Sequence, residues 1–414
     1  MNGNYPKKLI KTDAALARLL AKEEKRQLET IDLIPSENFA DPNVRALEGS
    51  VFMNKYSEGY SGRRYYPGNI VVDELENLAI SRARKAFGLD KNWHVNVQPY
   101  SGSPANLAVY LGLLRPGEKI LGMSLADGGH LTHGHKVNAS GIIFKSIGYG
   151  VDIITGLIDY REIERLANKE KPRIVVSGLT AYPRRLDFKK FGQIAKKVGA
   201  YHLADISHIS GLISAGLHPS PFPYADVVTT TTHKILRGPR GAVIFCKKEL
   251  AEKIDRAVFP GLQGGPHDNT TAAIAYAFGQ VATPRYRAYA KAVLENTKAL
   301  SRVLIKEGFA LATGGTDNHM LLLDLKPLGM SGMDGEKLLE RAGIVANRNS
   351  LLGDASPFRP SGIRMGAPAI TTRGMKPSDM ARIASWISRI LIDHENPEKV
   401  GFEVRAFLKK FPVS

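Results

Sequence analysis

Two successive strand-like segments in the middle of the chain end in polar residues that suit covalent chemistry on a carbonyl group. The segment YHLAD ends in Asp205, and the segment DVVTTTT is followed by His233 and Lys234. At a dry strand end, desolvation lowers the pKa of a lysine and favours the neutral amine that imine formation requires. A carboxylate at a buried strand end needs a cation or a hydrogen-bond donor. We interpret Lys234 as imine-forming and Asp205 as the partner of a protonated ring nitrogen; a loop lysine and a helix N-cap are the structural alternatives.

The segment PYSGSPAN offers a site for an anion. Ser101, Gly102 and Ser103 precede the apolar helical segment ANLAVYLGLL. Free backbone N–H groups and hydroxyls at the start of a helix bind phosphate groups, although an ordinary serine N-cap has the same sequence. The loop FPGLQGGPH, which contains Gly264 and Gly265, is a second glycine-rich candidate.

Histidines and an arginine complete the set of reactive residues. The segment GGHLTHGHK places His130, His133 and His135 close together, which is one pattern of metal ligands. No acidic or cysteine cluster accompanies them, so we expect no metal and favour a His130 ring stacked on a flat cofactor. In SPFRPSGIRMG, the guanidinium of Arg364 suits bidentate capture of a carboxylate, with a surface ion pair as the alternative.

Together these residues match the needs of one cofactor. A phosphate cradle, a stacking histidine, an aspartate for a ring nitrogen, an imine lysine and a carboxylate-binding arginine are what pyridoxal phosphate bound to an amino acid requires. The aspartate keeps the pyridine nitrogen protonated, so that the ring acts as an electron sink.

The elements around these residues predict an α/β fold with a mostly parallel sheet covered by helices on both faces. Apolar runs at 119–125, 173–179, 201–205, 226–232 and 241–246 suit buried strands, and a helix capped by Asp187 and ended by Gly199 lies between the second and the third. In such sheets, ligands bind beyond the carboxyl ends of the strands.

The chain divides into three predicted parts. Residues 1–30 form an amphipathic N-terminal arm, and residues 31–286 form the large cofactor-binding domain. Residues 287–414 form a smaller α+β domain with helices at 289–308 and 376–394 and a strand at 319–325.

Composition limits the classes of protein that fit. The net charge of +17 comes from 57 basic and 40 acidic residues, and its scattered distribution, without a zinc-finger or RNA-binding motif, favours solubilising charge or acidic metabolites over nucleic acid. The chain shows no membrane-length apolar run and no secretory pattern. The single cysteine, Cys246, leaves no disulfide framework, so we expect a cytoplasmic protein without a membrane partner.

The sequence resembles the serine hydroxymethyltransferase family, also called glycine hydroxymethyltransferase, from about residue 10 to 392. The motifs that carry the resemblance are SENF (36–39), NKYSEGYSGRRYY (54–66), GGHLTHG, TTTTHK with LRGPRG, FPG with QGGP, GGTDNH (314–319) and SGIR with PAITTRG. The resemblance implies a fold type I pyridoxal-phosphate transferase that works as a homodimer with shared active sites, or as a dimer of dimers. It implies reversible conversion of L-serine and tetrahydrofolate to glycine and 5,10-methylenetetrahydrofolate, in one-carbon metabolism and glycine biosynthesis.

The resemblance also implies roles for individual residues. Catalysis would involve Lys234, which holds the cofactor as an internal aldimine, together with His233, Thr231, and Glu58 and Tyr66 of the other subunit. The cofactor would be bound by Ser101, Gly102, Ser103, His130, Thr180, Asp205, His208, Lys234, Arg240 and Gly264, with Tyr56 and Gly265 of the other subunit. The substrate would be bound by Ser36, His208 and Arg364, with Glu58 and Tyr66. The folate would lie near Leu125, Gly129, His130, Leu131, Asn349, Ser356, Pro357 and Phe358.

Some positions depart from the family pattern. Asp127 stands where a histidine is usual, close to the folate segment, and Arg359 stands where a smaller residue is common. Pro104 stands where a glutamine is usual and removes an N–H beside the phosphate. Two other functions stay open: a pyridoxal-phosphate β-hydroxy amino acid aldolase or methylserine-type hydroxymethyltransferase, and a non-catalytic nucleic-acid-binding protein that kept the fold.

Overall fold

The structure is a computed structural model and describes residues 11–354 and 359–413. The strands in these residues are β1 Ile31–Asp32, β2 Gly59–Tyr60, β3 Arg63–Arg64, β4 Trp93–Asn96, β5 Lys119–Met123, β6 Lys145–Tyr149, β7 Ile174–Gly178, β8 Tyr201–Asp205, β9 Val227–Thr231, β10 Ala242–Lys247, β11 Ala310–Leu311, β12 Met320–Asp324, β13 Ile344–Val345, β14 Asn347–Asn349 and β15 Gly362–Gly366. The α-helices are α1 Ala14–Glu29, α2 Pro42–Glu48, α3 Ile70–Ala86, α4 Gly102–Leu113, α5 Ala139–Ile143, α6 Tyr160–Glu170, α7 Phe188–Val198, α8 Ser210–Ser214, α9 Ala251–Arg256, α10 Asp268–Val281, α11 Pro284–Lys306, α12 Gly332–Arg341, α13 Pro368–Thr372, α14 Met380–Leu391 and α15 Pro397–Leu408. None of these helices is both long and apolar enough to span a bilayer.

The large sheet has seven strands in the order β4-β10-β9-β8-β7-β5-β6. Strands β5 to β9 are paired in parallel, and β10 runs antiparallel to both of its neighbours. The five strands predicted from apolar runs are β5, β7, β8, β9 and β10, with ends that shift by one or two residues. The predicted parallel α/β architecture is confirmed.

Two apolar cores cover the two faces of this sheet. One contains Phe188, Phe191 and Ile194 of α7, and the other contains Val109 and Tyr110 of α4. Helix α7 begins and ends where the sequence predicts: Asp187 Oδ1 accepts from the Lys190 N–H at 3.1 Å, and Gly199 has a φ of 69°. A left-handed residue after the last turn favours glycine.

A second sheet, in the order β11-β12-β15-β14, lies in the C-terminal part of the chain. The predicted strand at 319–325 is β12, and the predicted helices are α11 and α14. Helix α11 begins five residues before the predicted start at 289, because Thr283 caps it and Pro284 occupies its first turn. Strand β1 pairs with β13, and Ile31 and Leu33 join the apolar core of this part. The three-part division of the chain stays a prediction.

The parallel strands bring their carboxyl ends to one edge of the large sheet. Strand β8 ends at Asp205 and β9 ends at Thr231, three residues before Lys234. Strand β7 ends at Gly178, two residues before Thr180, and the 125–135 loop follows β5. The edge therefore collects side chains that are far apart in the sequence.

Candidate active site

Lys234 lies just beyond the end of β9. Its Nζ atom donates to Thr231 Oγ1 at 2.8 Å, and its backbone oxygen accepts from Asn38 Nδ2 at 3.2 Å. Burial lowers the pKa of Lys234 to about 8; the Asp205 carboxylate opposes this shift, and the charges of Arg364 and Arg240 add to it. A larger fraction of this amine is therefore neutral near physiological pH than for an exposed lysine.

Asp205 is a buried carboxylate whose oxygens are all engaged. Oδ2 accepts from Asn106 Nδ2 at 2.9 Å and lies 3.2 Å from His133 Nε2, and Oδ1 accepts from the Ser207 N–H at 3.1 Å. Burial acts to raise the pKa of Asp205, but the hydrogen bond and charge of His133 outweigh it and hold that pKa well below the usual range. The carboxylate is ionised and can hold a proton on a neighbouring ring nitrogen.

His130 is a neutral imidazole at the same edge. Burial, followed by the nearby His133, lowers the pKa of His130 to about 4. Its Nδ1 accepts from the Thr132 N–H at 3.2 Å and lies 2.8 Å from Thr132 Oγ1, which fixes the ring plane. An uncharged, fixed ring suits the stacking role that the sequence predicts.

The start of α4 forms the candidate anion site. Ser101 precedes the first helical residue and its hydroxyl does not cap the helix, so that hydroxyl and the N–H groups of Gly102 and Ser103 face no helical partner. Pro104 has no N–H, so the site has one backbone N–H donor fewer than it would have with any other residue at this position. A Cβ at Gly102 would lie 2.7 Å from Thr231 Cγ2, so glycine lets this helix start approach the end of β9.

Arg364 reaches this edge from β15 of the second sheet. Its Nη1 donates to the Thr180 carbonyl at 2.6 Å, its Nε donates to Asn347 Oδ1 at 3.0 Å, and its Nη2 donates to Ser36 Oγ at 3.4 Å. Burial lowers the pKa of Arg364 to about 10, which still leaves it charged at neutral pH. We call Lys234, Thr231, Asp205, His130, Arg364 and the start of α4 the strand-end site.

Three further predicted residues lie around this site. The His233 ring is half-buried, with a pKa that burial lowers to about 3, and its Nδ1 has no partner among the residues that the structure describes. Arg240 is exposed, and its charge contributes to the lowered pKa of both His233 and Lys234. His208 is buried, and its ring contacts His319.

A second group of predicted residues is assembled elsewhere on the chain. The rings of Tyr56 and Tyr66 lie 4.9 Å apart between centroids. A Cβ on Gly264 would lie 3.1 Å from Glu58 Oε1, and one on Gly265 would lie 3.4 Å from the Tyr56 ring. We call these five residues the Tyr56 cluster. Within residues 11–354 and 359–413, no hydrogen bond or ring contact joins the Tyr56 cluster to Lys234 or Arg364.

Some of the predicted folate residues lie close in sequence to residues that line a cavity, but none of those that the structure describes lines it. Leu125 and Leu131 are exposed, and Asn349 Nδ2 donates to the Ser350 carbonyl at 2.6 Å. Their sequence neighbours Asp127 and Leu351 line a cavity of about 250 Å³. Burial raises the pKa of Asp127. A Cβ on Gly129 would lie 2.0 Å from the Met123 carbonyl oxygen, so glycine is required there. The predicted residues Ser356, Pro357 and Phe358 lie outside the described residues.

The strand-end site fits pyridoxal phosphate. The ionised Asp205 carboxylate suits a protonated ring nitrogen, and the Lys234 amine suits an aldehyde. The start of α4 suits a phosphate, and it lies next to Thr231, the hydrogen-bond partner of Lys234.

The sequence did not predict the supporting roles of four residues around the site. His133 and Asn106 hold Asp205, Asn347 holds Arg364, and His319 contacts His208. His133, Asn106 and His319 lie inside quoted motifs, GGHLTHG, SGSPAN and GGTDNH, so a signal was present. Their partners could not be read from spacing, because each pair joins distant parts of the chain.

Known proteins match this chain over nearly its whole length. The family model described as serine hydroxymethyltransferase matches residues 9–387. The chain is 50% identical to the serine hydroxymethyltransferase of Acidothermus cellulolyticus, over 98% of this chain and 96% of that protein. It is also 50% identical to the serine hydroxymethyltransferase of Desulfotalea psychrophila, over 98% of this chain and 95% of that protein.

Proposed function

The chain belongs to the serine hydroxymethyltransferase family, and from this premise we propose which of its residues perform each part of the reaction. The enzyme uses pyridoxal phosphate and converts L-serine and tetrahydrofolate reversibly to glycine and 5,10-methylenetetrahydrofolate. The predicted family, fold class, activity and cofactors are thus confirmed.

In this proposal the strand-end site holds the cofactor. Pyridoxal phosphate, when bound, supplies a ring that delocalises the negative charge left on the substrate carbon. Lys234 binds the aldehyde through its neutral amine, and Asp205 keeps the ring nitrogen protonated. His130 covers the ring face, and Ser101, Gly102 and Ser103 bind the phosphate. The support for these roles is the shared edge of the sheet and the fixed hydrogen bonds of Asp205 and His130.

Arg364 binds the carboxylate of serine. A guanidinium has five N–H donors. Three of them are used by Thr180, Asn347 and Ser36, so each Nη atom retains one N–H for the substrate. The three protein contacts fix the plane of the guanidinium, which is the geometry that bidentate carboxylate binding needs.

The Tyr56 cluster acts on the substrate bound by a second copy of the chain. Glu58 moves a proton near the serine hydroxyl or the folate nitrogen, and Tyr56, Tyr66, Gly264 and Gly265 complete the neighbouring site. The surface beside the cluster supports this arrangement, because it exposes large apolar side chains that a partner would cover. The exposed fractions are 79% for Val51, 62% for Met53, 73% for Tyr65, 77% for Ile70 and 61% for Val71.

A homodimer, alone or in a dimer of dimers, follows from this arrangement. We place the enzyme in the cytoplasm, where a chain with a single cysteine needs no oxidising compartment. The folate lies over the 125–135 loop and Asn349, beside the cavity that Asp127 lines.

The observation that carries the proposal is the meeting of Lys234, Asp205 and Arg364 at one sheet edge. The test adds glycine to the cofactor-loaded protein, with and without tetrahydrofolate, and records the visible spectrum. We expect a red-shifted absorption band that grows strongly when folate is added. Folate-independent cleavage of β-hydroxy amino acids without a folate response would indicate the aldolase instead. A colourless protein that takes up no pyridoxal phosphate would overturn both.

A further inference from the structure

Two buried histidines from different sheets meet beside the strand-end site. His208 follows β8 by three residues, and His319 directly precedes β12. His208 Nδ1 lies 3.3 Å from His319 Nε2, with ring centroids 5.5 Å apart and planes inclined by 28°. His319 is completely buried and His208 is 3% exposed. The pair therefore links the large sheet to the second sheet at the point where the cofactor is proposed to bind.

Both rings are neutral. Burial lowers the pKa of His208 well below its usual value, and the facing groups Lys234, Arg364, His319 and His130 lower it further. Burial also lowers the pKa of His319 to about 3, with smaller contributions from Arg364, Lys234 and His218. Two neutral imidazoles that share one hydrogen bond must divide the roles, so that one ring nitrogen donates and the other accepts.

Two assignments of donor and acceptor satisfy the hydrogen bond between the two rings. If His319 Nε2 donates, His208 carries its proton on Nε2 and His319 keeps a bare lone pair on Nδ1. If His208 Nδ1 donates, His208 has no proton on Nε2, and His319 has its N–H on Nδ1. His319 Nδ1 is buried without a partner in the described part of the chain. Proteins leave a buried N–H without an acceptor more rarely than they leave an acceptor unused, which favours the first assignment.

Contacts of His319 and its two preceding neighbours hold the backbone that carries the His319 ring. Asn318 Nδ2 donates to the Tyr182 carbonyl at 3.0 Å, and Asp317 pairs with Arg184 at 3.1 Å. The Ala367 N–H donates to the His319 carbonyl at 3.3 Å. These contacts fix the segment on both sides of the ring, so His319 can impose a proton position on a neighbour.

We infer that His319 is a positioning residue that holds His208 in the tautomer with its proton on Nε2, and so directs an N–H donor of His208 into the strand-end site. The two nitrogens of an imidazole point in different directions, and His208 Nε2 makes no hydrogen bond to a described residue. The tautomer of a histidine is set by the bond that its other nitrogen makes. The use of this N–H donor rests on the proposed function, in which it donates to an oxygen of the cofactor or of serine.

The experiment reads the tautomer directly. The full chain is labelled with ¹⁵N on its histidine rings, and the ring nitrogens are recorded by NMR with and without bound pyridoxal phosphate. His208→Gln assigns the His208 signals. We expect His208 to carry its proton on Nε2 in the unchanged chain and to lose this preference in His319→Leu. His319→Gln retains an amide donor near the position of Nε2 and is expected to restore the preference.

Kinetics and a matched variant separate positioning from general damage. In the loaded enzyme, we expect His319→Leu to lower kcat for serine on the order of tenfold, as for residues that orient a functional histidine. KM for serine should change less than about twofold, because Arg364 is untouched. The control His202→Leu removes a buried histidine of β8 that is hydrogen-bonded to Ser177, and it should leave the His208 signals unchanged.

Two results would overturn the inference: a proton on Nδ1 of His208 in the unchanged chain, or an undiminished Nε2 proton in His319→Leu. If His319→Leu does not fold, the spectra of the unchanged chain and of His319→Gln still decide. Failure of the proposed function is a separate result, because absent cofactor uptake or an absent folate response would not alter the tautomer measured in the cofactor-free chain.

Discussion

The strand-end site and the Tyr56 cluster differ in how completely one chain forms them. In the strand-end site, Asp205 and Arg364 are buried, and each makes at least three hydrogen bonds within the chain. In the Tyr56 cluster, the Tyr56 side chain is 53% exposed and that of Tyr66 is 45% exposed. One chain thus fixes the groups that are proposed to hold the cofactor, whereas the proposed proton-transfer residue lies at the surface.

Electrostatics gives a physical reason for this difference. A buried charge is costly unless hydrogen bonds replace its lost hydration, and the fold supplies those bonds at the strand ends. Glu58 and the two tyrosines keep contact with water in the single chain, so they need no such support. If a second chain covers them, its arrival excludes water and strengthens their interactions only where the substrate is bound.

The largest predicted effect is on the strand-end site. Lys234→Ala removes the amine that is proposed to bind the cofactor, so we expect kcat to fall by at least about 10³-fold and the visible band of the covalently bound cofactor to disappear. The protein should still fold, since the removed charge was disfavoured by burial. Lys247→Ala is the control, because β10 runs antiparallel and ends at the opposite edge of the sheet. A retained visible band in Lys234→Ala would refute the assignment.

The second prediction concerns the Tyr56 cluster. Glu58→Gln should lower kcat by about 10² to 10³-fold while leaving the visible band intact, because a proton-transfer group is lost and the cofactor site is not. Absorbance spectra and serine kinetics check both halves of this expectation.

Mixing the two variants shows whether the sites are shared between chains. Equal amounts of Lys234→Ala and Glu58→Gln are refolded together, so that about half of the dimers are hybrids. Each hybrid has one intact site of two, so activity should return to about a quarter of the unchanged level. If both regions act within one chain, each chain of the hybrid is defective and no activity returns.

The smallest predicted effect is on the rate of cofactor uptake as pH changes. The pKa of Lys234 is lowered to about 8, so its neutral form appears at lower pH than in a free lysine side chain. The uptake rate of the cofactor-free protein should rise about tenfold between pH 6 and pH 7 and level off above pH 8. Stopped-flow absorbance measures this rate, with a lysine derivative free in solution as the reference. A rate that still rises steeply at pH 10 would show that Lys234 is not desolvated.

The same shift has a defined sign for stability. Because the folded-state pKa of Lys234 lies below the ordinary value of 10.5, the unfolded chain binds more protons between pH 8 and 10.5. The contribution of Lys234 therefore increases the free energy of unfolding as pH rises through this window.

Much of the fold and the site could be predicted from local sequence. Apolar runs located five strands of the large sheet, and Asp187 and Gly199 marked the ends of α7. Helix α11 was predicted to begin at 289 rather than at Pro284, because its cap, Thr283, lies outside the apolar pattern. The motifs also indicated Lys234, Asp205 and Arg364 as site residues, because the side-chain chemistry of lysine, aspartate and arginine limits the roles that each can have.

The sequence by itself determined the residue types, several of the strand and helix segments, and the family. Only the tertiary structure decided which partners these residues have. His133 meets Asp205 across 72 positions, His208 meets His319 across 111, and Arg364 meets Thr180 across 184. Strand order and the docking of the second sheet bring these pairs together, and no local pattern encodes that order. The pKa values of Lys234, Asp205 and His208 depend on the same contacts and burial, so they too exist only in the folded chain.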